Sequence, residues 1–408
     1  MRMLKGNAIV AQSGGPTAVI NSSLCGVIEQ WRKSNAPGLI YAGVSGIKGI
    51  LAGQIIDLGR QDPAAISGLF YTPGAGIHSC RYKVEPEDQE KMIEIFKKLN
   101  IRYFFYNGGN DSMDTAHKTL LAAREAGYEM RIIGVPKTVD NDLPFTDHCP
   151  GFGSAAKYIA ATVRETGIDL ESVSTKNKVT ILEAMGRDAG WLTAAGALAK
   201  RRPEEAPHLI YLPELPFSQE RFLADVEKVY NDLGYVYIVV SEGLVNEKGE
   251  YFFASAGLDA FGHAQLSGVG EALKRVVESQ LGIKSRCNTP GTAQRSAMHF
   301  ASRCDRDEAY LVGAKAVEYA LAGQSGIMVT IERVSDEPYQ SRPGQVPLEA
   351  VANKEKKIPR DWINEAGNYL NQQFITYARP LIEGEIEIPM RYGLPDYVKL
   401  DLNKGRVS

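Results

Sequence analysis

Two short polar segments each follow a hydrophobic run and carry residue types suited to phosphate chemistry. Residues 108–112 (GGNDS) come after the run IRYFFY, and residues 136–142 (PKTVDND) come after RIIGV. Such runs predict buried strands, and open parallel sheets bind ligands where their strands reach the carboxyl end. The first segment offers backbone that can approach a phosphate and a carboxylate for a metal. The second offers one cation and two carboxylates, so together they favour phosphoryl transfer.

The spacing within the second segment allows its charged side chains to converge on one ligand. Lys137 and Asp140 are three residues apart, and Asp142 follows two residues later, in a turn before Pro144. A carboxylate beside a hydroxyl can act as a general base, and a neighbouring cation can hold the transferring group. The alternative is a helix cap with a surface ion pair, because Asp and Asn are common turn residues.

The first segment is open to a similar pair of interpretations. Asn110, Asp111 or Ser112 could simply cap the helix predicted over 112–126. Two adjacent glycines do more than capping requires, because they bring backbone N–H groups within reach of phosphate oxygens. We therefore favour a phosphate site here.

Three further segments contain glycines or cations suited to anions. The turn 13–17 (SGGPT) joins a predicted strand over 7–12 to a helix, and Pro16 suits an early helical position. Arg187, in the EAMGR segment after the predicted strand 178–184, could clamp a phosphate in bidentate fashion. Residues 284–295 (KSRCNTPGTAQR) hold three cations in a mildly acidic chain. An ordinary tight turn and surface ion pairs are the alternatives.

Alternating strand and helix patterns predict an α/β fold with largely parallel sheets. Strands are predicted over 39–44, 101–106, 131–135, 178–184, 208–212, 235–241 and 326–332. Helices are predicted over 86–99, 112–126, 153–167, 188–200, 219–232, 265–281 and 305–322. The Pro- and Gly-containing segment 335–359 predicts a surface loop, followed by a helix over 360–374.

Composition excludes several classes of protein. The 408 residues are 44% hydrophobic, enough for two lobes, and the net charge of -3 gives no field favouring nucleic acid or an anionic membrane. Five widely spaced cysteines argue against a disulfide framework or structural zinc and fit a reducing cytoplasm. No run approaches the length of a membrane helix, and the N-terminal apolar run is too short for a signal peptide.

Taken together, these segments resemble the phosphofructokinase family from about Ala8 to about Arg295. The family's GGDGS-like and TIDND-like segments flank its active site, and here they read GNDS from Gly109 and TVDND from Thr138. The resemblance implies two Rossmann-like lobes. The expected phosphoryl-donor lobe covers 1–152 plus about 290–345, and the expected fructose 6-phosphate lobe covers 153–289 plus about 346–408. The site and base are expected between the lobes.

The resemblance also implies a role for each matching residue. Asp140 is the expected general base for the sugar C1 hydroxyl, with Lys137 and Arg187 as further catalytic residues. The expected donor-binding residues are Gly15, Arg81, Gly109, Asp111, Ser112 and Lys137. The expected sugar-phosphate ligands are Thr138, Asp140, Asp142, Lys178, Met185, Gly186, Arg187, Glu242, Arg286 and Arg295. Lys178 and Arg286 match positions that reach across a subunit boundary in many members, which implies a homodimer or homotetramer with shared active sites.

Two positions indicate the phosphoryl donor. Family members that use ATP carry glycine at positions 111 and 137, whereas this chain has Asp111 and Lys137. A carboxylate at 111 adds volume and negative charge where the nucleotide α-phosphate would lie, so it disfavours ATP. Lys137 supplies a compact cation for the shorter pyrophosphate. The pair therefore resembles the pyrophosphate-dependent branch, whose transfer is expected to be reversible.

The chain departs from that branch at the position assigned to magnesium. Asn110 stands where pyrophosphate-dependent members usually have Asp, and an amide offers only a neutral oxygen to Mg²⁺. Asn110 and Asp111 are the candidate Mg²⁺ ligands, with Asp140 as another possible ligand. Thr292 also stands where bacterial ATP-using members have His.

The resemblance therefore implies transfer from Mg²⁺-bound pyrophosphate to fructose 6-phosphate, a reaction of glycolysis and gluconeogenesis. Three alternatives stay open: an ATP-dependent enzyme of the same family, a non-catalytic phosphosugar sensor suggested by Asn110, and a protein like the NAD kinases, which share a GGDG-type turn. The last has no use for the later MGR segment and basic cluster.

Overall fold

The hydrophobic runs of the sequence form mostly parallel strands in a computed structural model that describes residues 3–173, 178–253 and 268–407. Strands β1 to β14 are Asn7–Ser13, Ile40–Gly43, Ile55–Asp57, Ser79–Cys80, Ile101–Gly108, Arg131–Pro136, Val179–Ala184, Leu209–Tyr211, Val236–Ser241, Ser285–Asn288, Ile327–Asp336, Tyr339–Pro347, Met390–Arg391 and Leu394–Pro395.

Helices α1 to α13 connect or cover these strands. They are Ile20–Lys33, Gly46–Leu51, Pro63–Gly68, Pro86–Lys98, Asn110–Glu125, Phe152–Ser172, Trp191–Ala195, Gln219–Leu233, Val269–Leu281, Ala293–Ser296, Arg303–Leu321, Leu348–Val351 and Gln372–Ala378. The first three residues of the helix predicted over 265–281 lie outside the described residues. No described helix has both the length and the apolar character needed to cross a bilayer.

The chain divides into two compact units. The first comprises Met1–Ser154, Arg295–Glu355 and Gly384–Ser408, and the second comprises Ala155–Gln294 and Lys356–Glu383. The segments 346–355 and 384–408, which the sequence had assigned to the second lobe, thus belong to the first unit. Ile386 and Ile388 explain part of this, because they pack against Val19 and Met298 of that unit.

The first unit is built on a sheet with the order β12-β11-β6-β5-β1-β2-β3, and β4 also pairs with β1. β1, β5 and β6 are parallel neighbours at its centre. One face packs under α1 and α11 through residues such as Leu24 and Val317, and the other packs under α4 and α5 through Phe96 and Met113. Burial on both faces explains why these strands read as continuous apolar runs.

The second unit is built on the parallel sheet β10-β7-β9-β8. Every residue of β7 and β9 is buried, and α8 and α9 cover them through Phe222, Val226, Leu273 and Val277. The predicted α/β class with mostly parallel sheets is confirmed.

Three local predictions were wrong. The helix after the first turn begins at Ile20, so Pro16 precedes it. The predicted loop over 335–359 contains β12, an edge strand whose Pro343 is tolerated because an edge position needs no second ladder bond. The predicted helix over 360–374 is replaced by a short 3-10 turn and by α13, with Gly367 at φ +74 between them. The left-handed backbone at Gly367 is incompatible with a continuous helix.

Candidate active site

The turn after β1 gathers three cations around Gly15. The Lys137 ammonium group donates a hydrogen bond of 2.9 Å to the Gly15 carbonyl oxygen. A methyl group added at Gly15 would collide with the Arg295 guanidinium and come within 3.8 Å of Arg81 Nη2. Ser79 steadies the turn by donating to the Gly14 carbonyl at 2.6 Å. Glycine at position 15 therefore leaves room for side chains that suit an anionic ligand.

Lys137 is the buried member of this group. Its side chain is only 4% exposed. Burial, reinforced by the positive charges of Arg295 and Arg81, lowers the pKa of Lys137 to about 8, against the opposing effect of Asp140 and Asp142. A bound anion would relieve that repulsion and favour the protonated lysine.

The turn after β6 holds Asp140 in a defined local geometry. The Asp140 backbone N–H donates to Thr138 Oγ1 at 3.1 Å. Asn141 has φ +53 and is fully buried, and its side-chain oxygen accepts from the Cys149 N–H at 2.9 Å. Thr138 itself donates from its backbone to the Pro150 carbonyl at 3.2 Å. The returning chain thus fixes the turn that carries the expected base.

The two polar segments of the sequence are bonded to each other. β5 and β6 run side by side with Gly108 opposite Pro136, so both segments leave the same edge of the sheet. The Lys137 backbone N–H donates to the Gly108 carbonyl at 3.1 Å. Asn110 Nδ2 donates to Asp142 Oδ2 at 3.0 Å. The prediction that neighbouring strand ends would bring these residues together agrees with this geometry.

The start of α5 resembles a phosphate site more than a conventional cap. Gly109 is the N-cap residue, and no side chain caps the helix. Gly108 is required by packing, because an added methyl group would overlap the buried Ser112 side chain. At Gly109 the nearest atom to an added methyl would be the Lys137 carbonyl oxygen, at 3.6 Å. Space beside Gly109 and the helix N-terminus suit an anion, and the exposed Asp111 adjoins them.

In the second unit, the ends of β7 and β9 form a second polar cluster. Gly186 donates its N–H to Glu242 Oε1 at 3.2 Å, and its carbonyl accepts from Ser241 Oγ at 2.5 Å. Gly186 has φ +131, and a side chain there would meet the Ala189 carbonyl. The partly buried Arg187 follows in the same turn. The predicted MGR segment and Glu242 therefore lie together at the carboxyl edge of this sheet.

Lys178 and Arg286 lie toward the other end of the same strands. Lys178 immediately precedes β7, and Arg286 pairs with Thr180 near the start of β7. Six residues of extended chain separate Thr180 from Gly186, about 20 Å at the usual rise per residue. Arg286 pairs with Asp169 at 3.2 Å, and Lys178 Nζ lies 5.7 Å from the Tyr230 ring centre. The structure does not bring these two cations to the MGR turn of their own sheet.

Few of the described residues could act as metal ligands. No group of three or more His, Cys, Asp or Glu residues is positioned to hold a metal among residues 3–173, 178–253 and 268–407. Asn110 Oδ1 is buried and has no hydrogen-bond partner in the described part of the chain, while its amide nitrogen is held by Asp142. Mg²⁺ at phosphoryl-transfer sites commonly takes one or two protein oxygens and completes its shell with phosphates and water. Asn110 Oδ1 together with the Asp111 carboxylate fits this pattern of one or two protein oxygens.

Some site-forming residues were not identified from the sequence. Gln294 accepts the Met185 N–H at 3.0 Å, and Ser79 supports the first turn. Arg295, expected on the sugar phosphate, lies beside Gly15 in the first unit. Arg295 follows Gln294 directly in the sequence, but the boundary between the two units falls between these residues. The sequence therefore did not indicate that Arg295 lies in the first unit.

An α/β protein with glycine-containing turns and with cationic and acidic side chains at strand ends has the features of a phosphoryl-transfer enzyme. The phosphofructokinase family model matches residues 7–320. The chain therefore belongs to the phosphofructokinase family.

Individual relatives match over almost the whole chain. It is 47% identical to a pyrophosphate--fructose 6-phosphate 1-phosphotransferase of Halomonas elongata, covering 98% of this chain and 97% of the relative. Identity to the protein of the same name from Xanthomonas campestris pv. campestris is 46%, with coverage of 98% and 97%. The crystal structure of a pyrophosphate-dependent phosphofructokinase from Marinobacter aquaeolei superimposes with a TM-score of 0.90 at 46% identity, covering 98% of this chain and 97% of the other.

Proposed function

We propose that this chain catalyses transfer of a phosphoryl group from pyrophosphate to the C1 hydroxyl of fructose 6-phosphate. The products are fructose 1,6-bisphosphate and phosphate, and the reaction is reversible. The observation that carries the proposal is the buried Lys137, bonded to Gly15 and accompanied by Arg81 and Arg295. The names of the full-length relatives support the same donor and acceptor.

The proposed chemistry begins with Asp140. Its carboxylate takes the proton of the C1 hydroxyl while the C1 oxygen attacks the terminal phosphorus of pyrophosphate. The new O–P bond forms as the bridging P–O bond breaks, and phosphate leaves with the bonding electron pair. Lys137, Arg81 and the Gly15 turn stabilise the charge on the donor. Arg295 joins them, since its guanidinium lies beside the same turn.

The second unit supplies the sugar-phosphate ligands in this proposal. Met185, Gly186 and Arg187 bind the phosphosugar, and Glu242 accepts hydrogen bonds from its hydroxyls. The Gly186–Glu242 hydrogen bond supports this assignment, because it orients the carboxylate toward the MGR turn. Thr138 and Asp142 of the first unit are the proposed neighbours of the base.

Mg²⁺ is the proposed metal. When bound, it would neutralise charge on the phosphates and orient the transferring group. The buried Asn110 Oδ1 and the Asp111 carboxylate are its proposed protein ligands, with the remaining positions left to phosphate and water.

A homo-oligomer with shared active sites is also proposed. Lys178 and Arg286 are expected phosphosugar ligands, yet they lie at least about 20 Å along the strands from Gly186. Each pair would therefore serve the MGR turn of a second copy. No nucleic-acid or membrane partner is proposed, in keeping with the net charge of -3, and a reducing cytoplasm is the proposed location.

Asp111 and Lys137 make the donor testable. In a coupled assay with fructose 6-phosphate and Mg²⁺, the purified protein should turn over with pyrophosphate and far more slowly with ATP. The Asp111→Gly, Lys137→Gly double variant should shift that preference toward ATP, because it removes the charge and volume that disfavour the nucleotide. An unchanged donor preference would contradict the assignment of these residues.

An Asp140→Asn variant tests the base separately. It keeps the shape of the turn but cannot accept the proton, so kcat should fall by at least about a hundredfold. Activity retained in this variant would contradict the assignment of Asp140 as the base, whereas a wild-type protein inactive with both donors would favour a phosphosugar sensor.

A further inference from the structure

A buried histidine outside the candidate active site is held between two carboxylates. His148 is 1% exposed. Its Nδ1 lies 2.8 Å from Asp147 Oδ1, and its Nε2 lies 2.6 Å from Glu308 Oε2. An ionised carboxylate only accepts hydrogen bonds, and both imidazole nitrogens can donate only when the ring is protonated. The geometry therefore fits an imidazolium.

The surrounding groups favour ionised carboxylates on both sides. Glu308 Oε1 accepts from the Tyr339 hydroxyl at 2.7 Å and from Ser341 Oγ at 2.5 Å. Arg333 donates from Nε and Nη2 to Asp147 Oδ1 at 3.2 and 3.0 Å. A neutral His148 would present a lone pair to one buried carboxylate. Such an unmatched contact is costly away from water.

This cluster is continuous with the turn of the proposed base. The backbone N–H of Cys149, next to His148, donates to Asn141, and the carbonyl of Pro150 accepts from Thr138. On the other side, the Asp147 N–H donates to the Ile331 carbonyl of β11 at 2.9 Å. Contacts that fix His148 therefore fix the segment 147–150, which bonds to Asn141 and Thr138 on one side and to β11 on the other.

We propose that His148 is a positioning residue for Asp140, a role that rests on the proposed function. As an imidazolium bound by Asp147 and Glu308, it ties the base-bearing turn to α11 and to the β11–β12 hairpin. Loss of the proton leaves a buried carboxylate facing a lone pair and loosens the turn. His148 thus sets an alkaline limit on catalysis without touching substrate.

Several charged or titratable groups surround His148. Asp147 and Glu308 contact the ring, Asp305 acts on it electrostatically, and the Tyr339 ring lies 6.5 Å from it between centroids. Cys304 and Arg333 contact Glu308 and Asp147, respectively. Burial alone lowers the pKa of His148, but Glu308 and Asp147 outweigh it and raise the value to about 9. Because this exceeds the ordinary value near 6.5, the contribution is complete below pH about 6.5 and disappears as pH rises through about 9.

The first test uses the wild-type protein. NMR of ¹⁵N-histidine-labelled protein should show one imidazole that stays protonated through pH 8 and titrates near pH 9, assigned by its absence from His148→Gln. A midpoint at or below 6.5 would overturn the proposal. This measurement needs no substrate, so it stands or fails independently of the proposed reaction.

The second test compares kcat of His148→Gln with wild type across pH 6.5–10. The variant lacks the charge at every pH, so it should be about tenfold to a hundredfold slower near pH 7. The ratio of wild-type to variant kcat should fall by about five- to tenfold between pH 7 and pH 10, because wild type loses the same charge as His148 titrates. Lys137 titrates in both proteins, so its effect on kcat cancels in this ratio. A ratio independent of pH would mean a packing role only and would refute the positioning role.

A second variant, Glu308→Gln, tests the proposal even if His148→Gln does not fold. Glu308→Gln removes one carboxylate while keeping hydrogen-bonding capacity, so the NMR midpoint and the alkaline limb of kcat should move together to lower pH. Asp336→Asn is the matched control, because Asp336 pairs with Arg333 at 2.9 Å at the exposed edge of the cluster. Asp336→Asn should shift neither the NMR midpoint nor the alkaline limb of kcat. Amide hydrogen exchange at Thr138 and Cys149 should also accelerate in Glu308→Gln at alkaline pH, and unchanged exchange would contradict the proposal.

Discussion

Replacing Lys137 with methionine should stabilise the free protein while greatly lowering its proposed activity. Lys137 is 4% exposed, and its pKa falls from 10.5 to about 8, first because of burial. A shift of about 2.5 units corresponds to about 3 kcal/mol at 1.36 kcal/mol per unit. The folded value lies below the unfolded one, so folding bears this cost in full below pH about 8. The cost disappears as pH rises toward 10.5, where the lysine is neutral in both states.

The lost hydrogen bond to Gly15 offsets part of the gain. A bond from a charged donor is worth about 1.5–3 kcal/mol, so Lys137→Met should gain up to about 1.5 kcal/mol at pH 7 and nothing near pH 10. Without this cation, kcat with pyrophosphate should fall by about 10²–10³, as when one donor to a transition state is removed.

Urea unfolding at pH 7 and pH 10, together with the coupled assay, measures both effects. Lys91→Met is the matched control, since Lys91 is exposed on α4 and should change stability by less than about 0.5 kcal/mol. The reasoning is refuted if Lys137→Met is clearly less stable than wild type at pH 7. It is also refuted if pyrophosphate turnover stays within tenfold of wild type.

Two further predictions concern shared sites and the metal. Mixing inactive Asp140→Ala and Arg286→Ala subunits, then allowing exchange, should restore about a quarter of wild-type activity, because half of the dimers are mixed and one of their two sites is intact. No recovery despite proven exchange would exclude a shared site. Asn110→Asp should lower the thermal midpoint without Mg²⁺, because a carboxylate would then face Asp142 in place of the 3.0 Å hydrogen bond. Mg²⁺ should restore it, and a variant of wild-type stability without Mg²⁺ would disprove the contact's importance.

The sequence predicted the main strands and the polar ends of β5 and β6 because burial on both faces requires continuous apolar runs. It could not predict β12. Pro343 disfavours a strand in any window of sequence, and only the edge position next to β11 makes it tolerable. The helix predicted over 360–374 is interrupted by Gly367 at φ +74, and Trp362 and Phe374 on either side of it both pack on Trp191.

Residue types and short spacing alone determined that this chain should handle phosphate, and the resemblance they carried led to the family and the expected base, Asp140. Only the tertiary structure decided which residues share a site. It brings Arg295 to Gly15, sets Arg286 far along the strand from Gly186, and joins His148 to Glu308 across 160 residues. The physical reason is that strand ends and turns follow from local pattern, whereas contacts between distant segments depend on how sheets and helices pack.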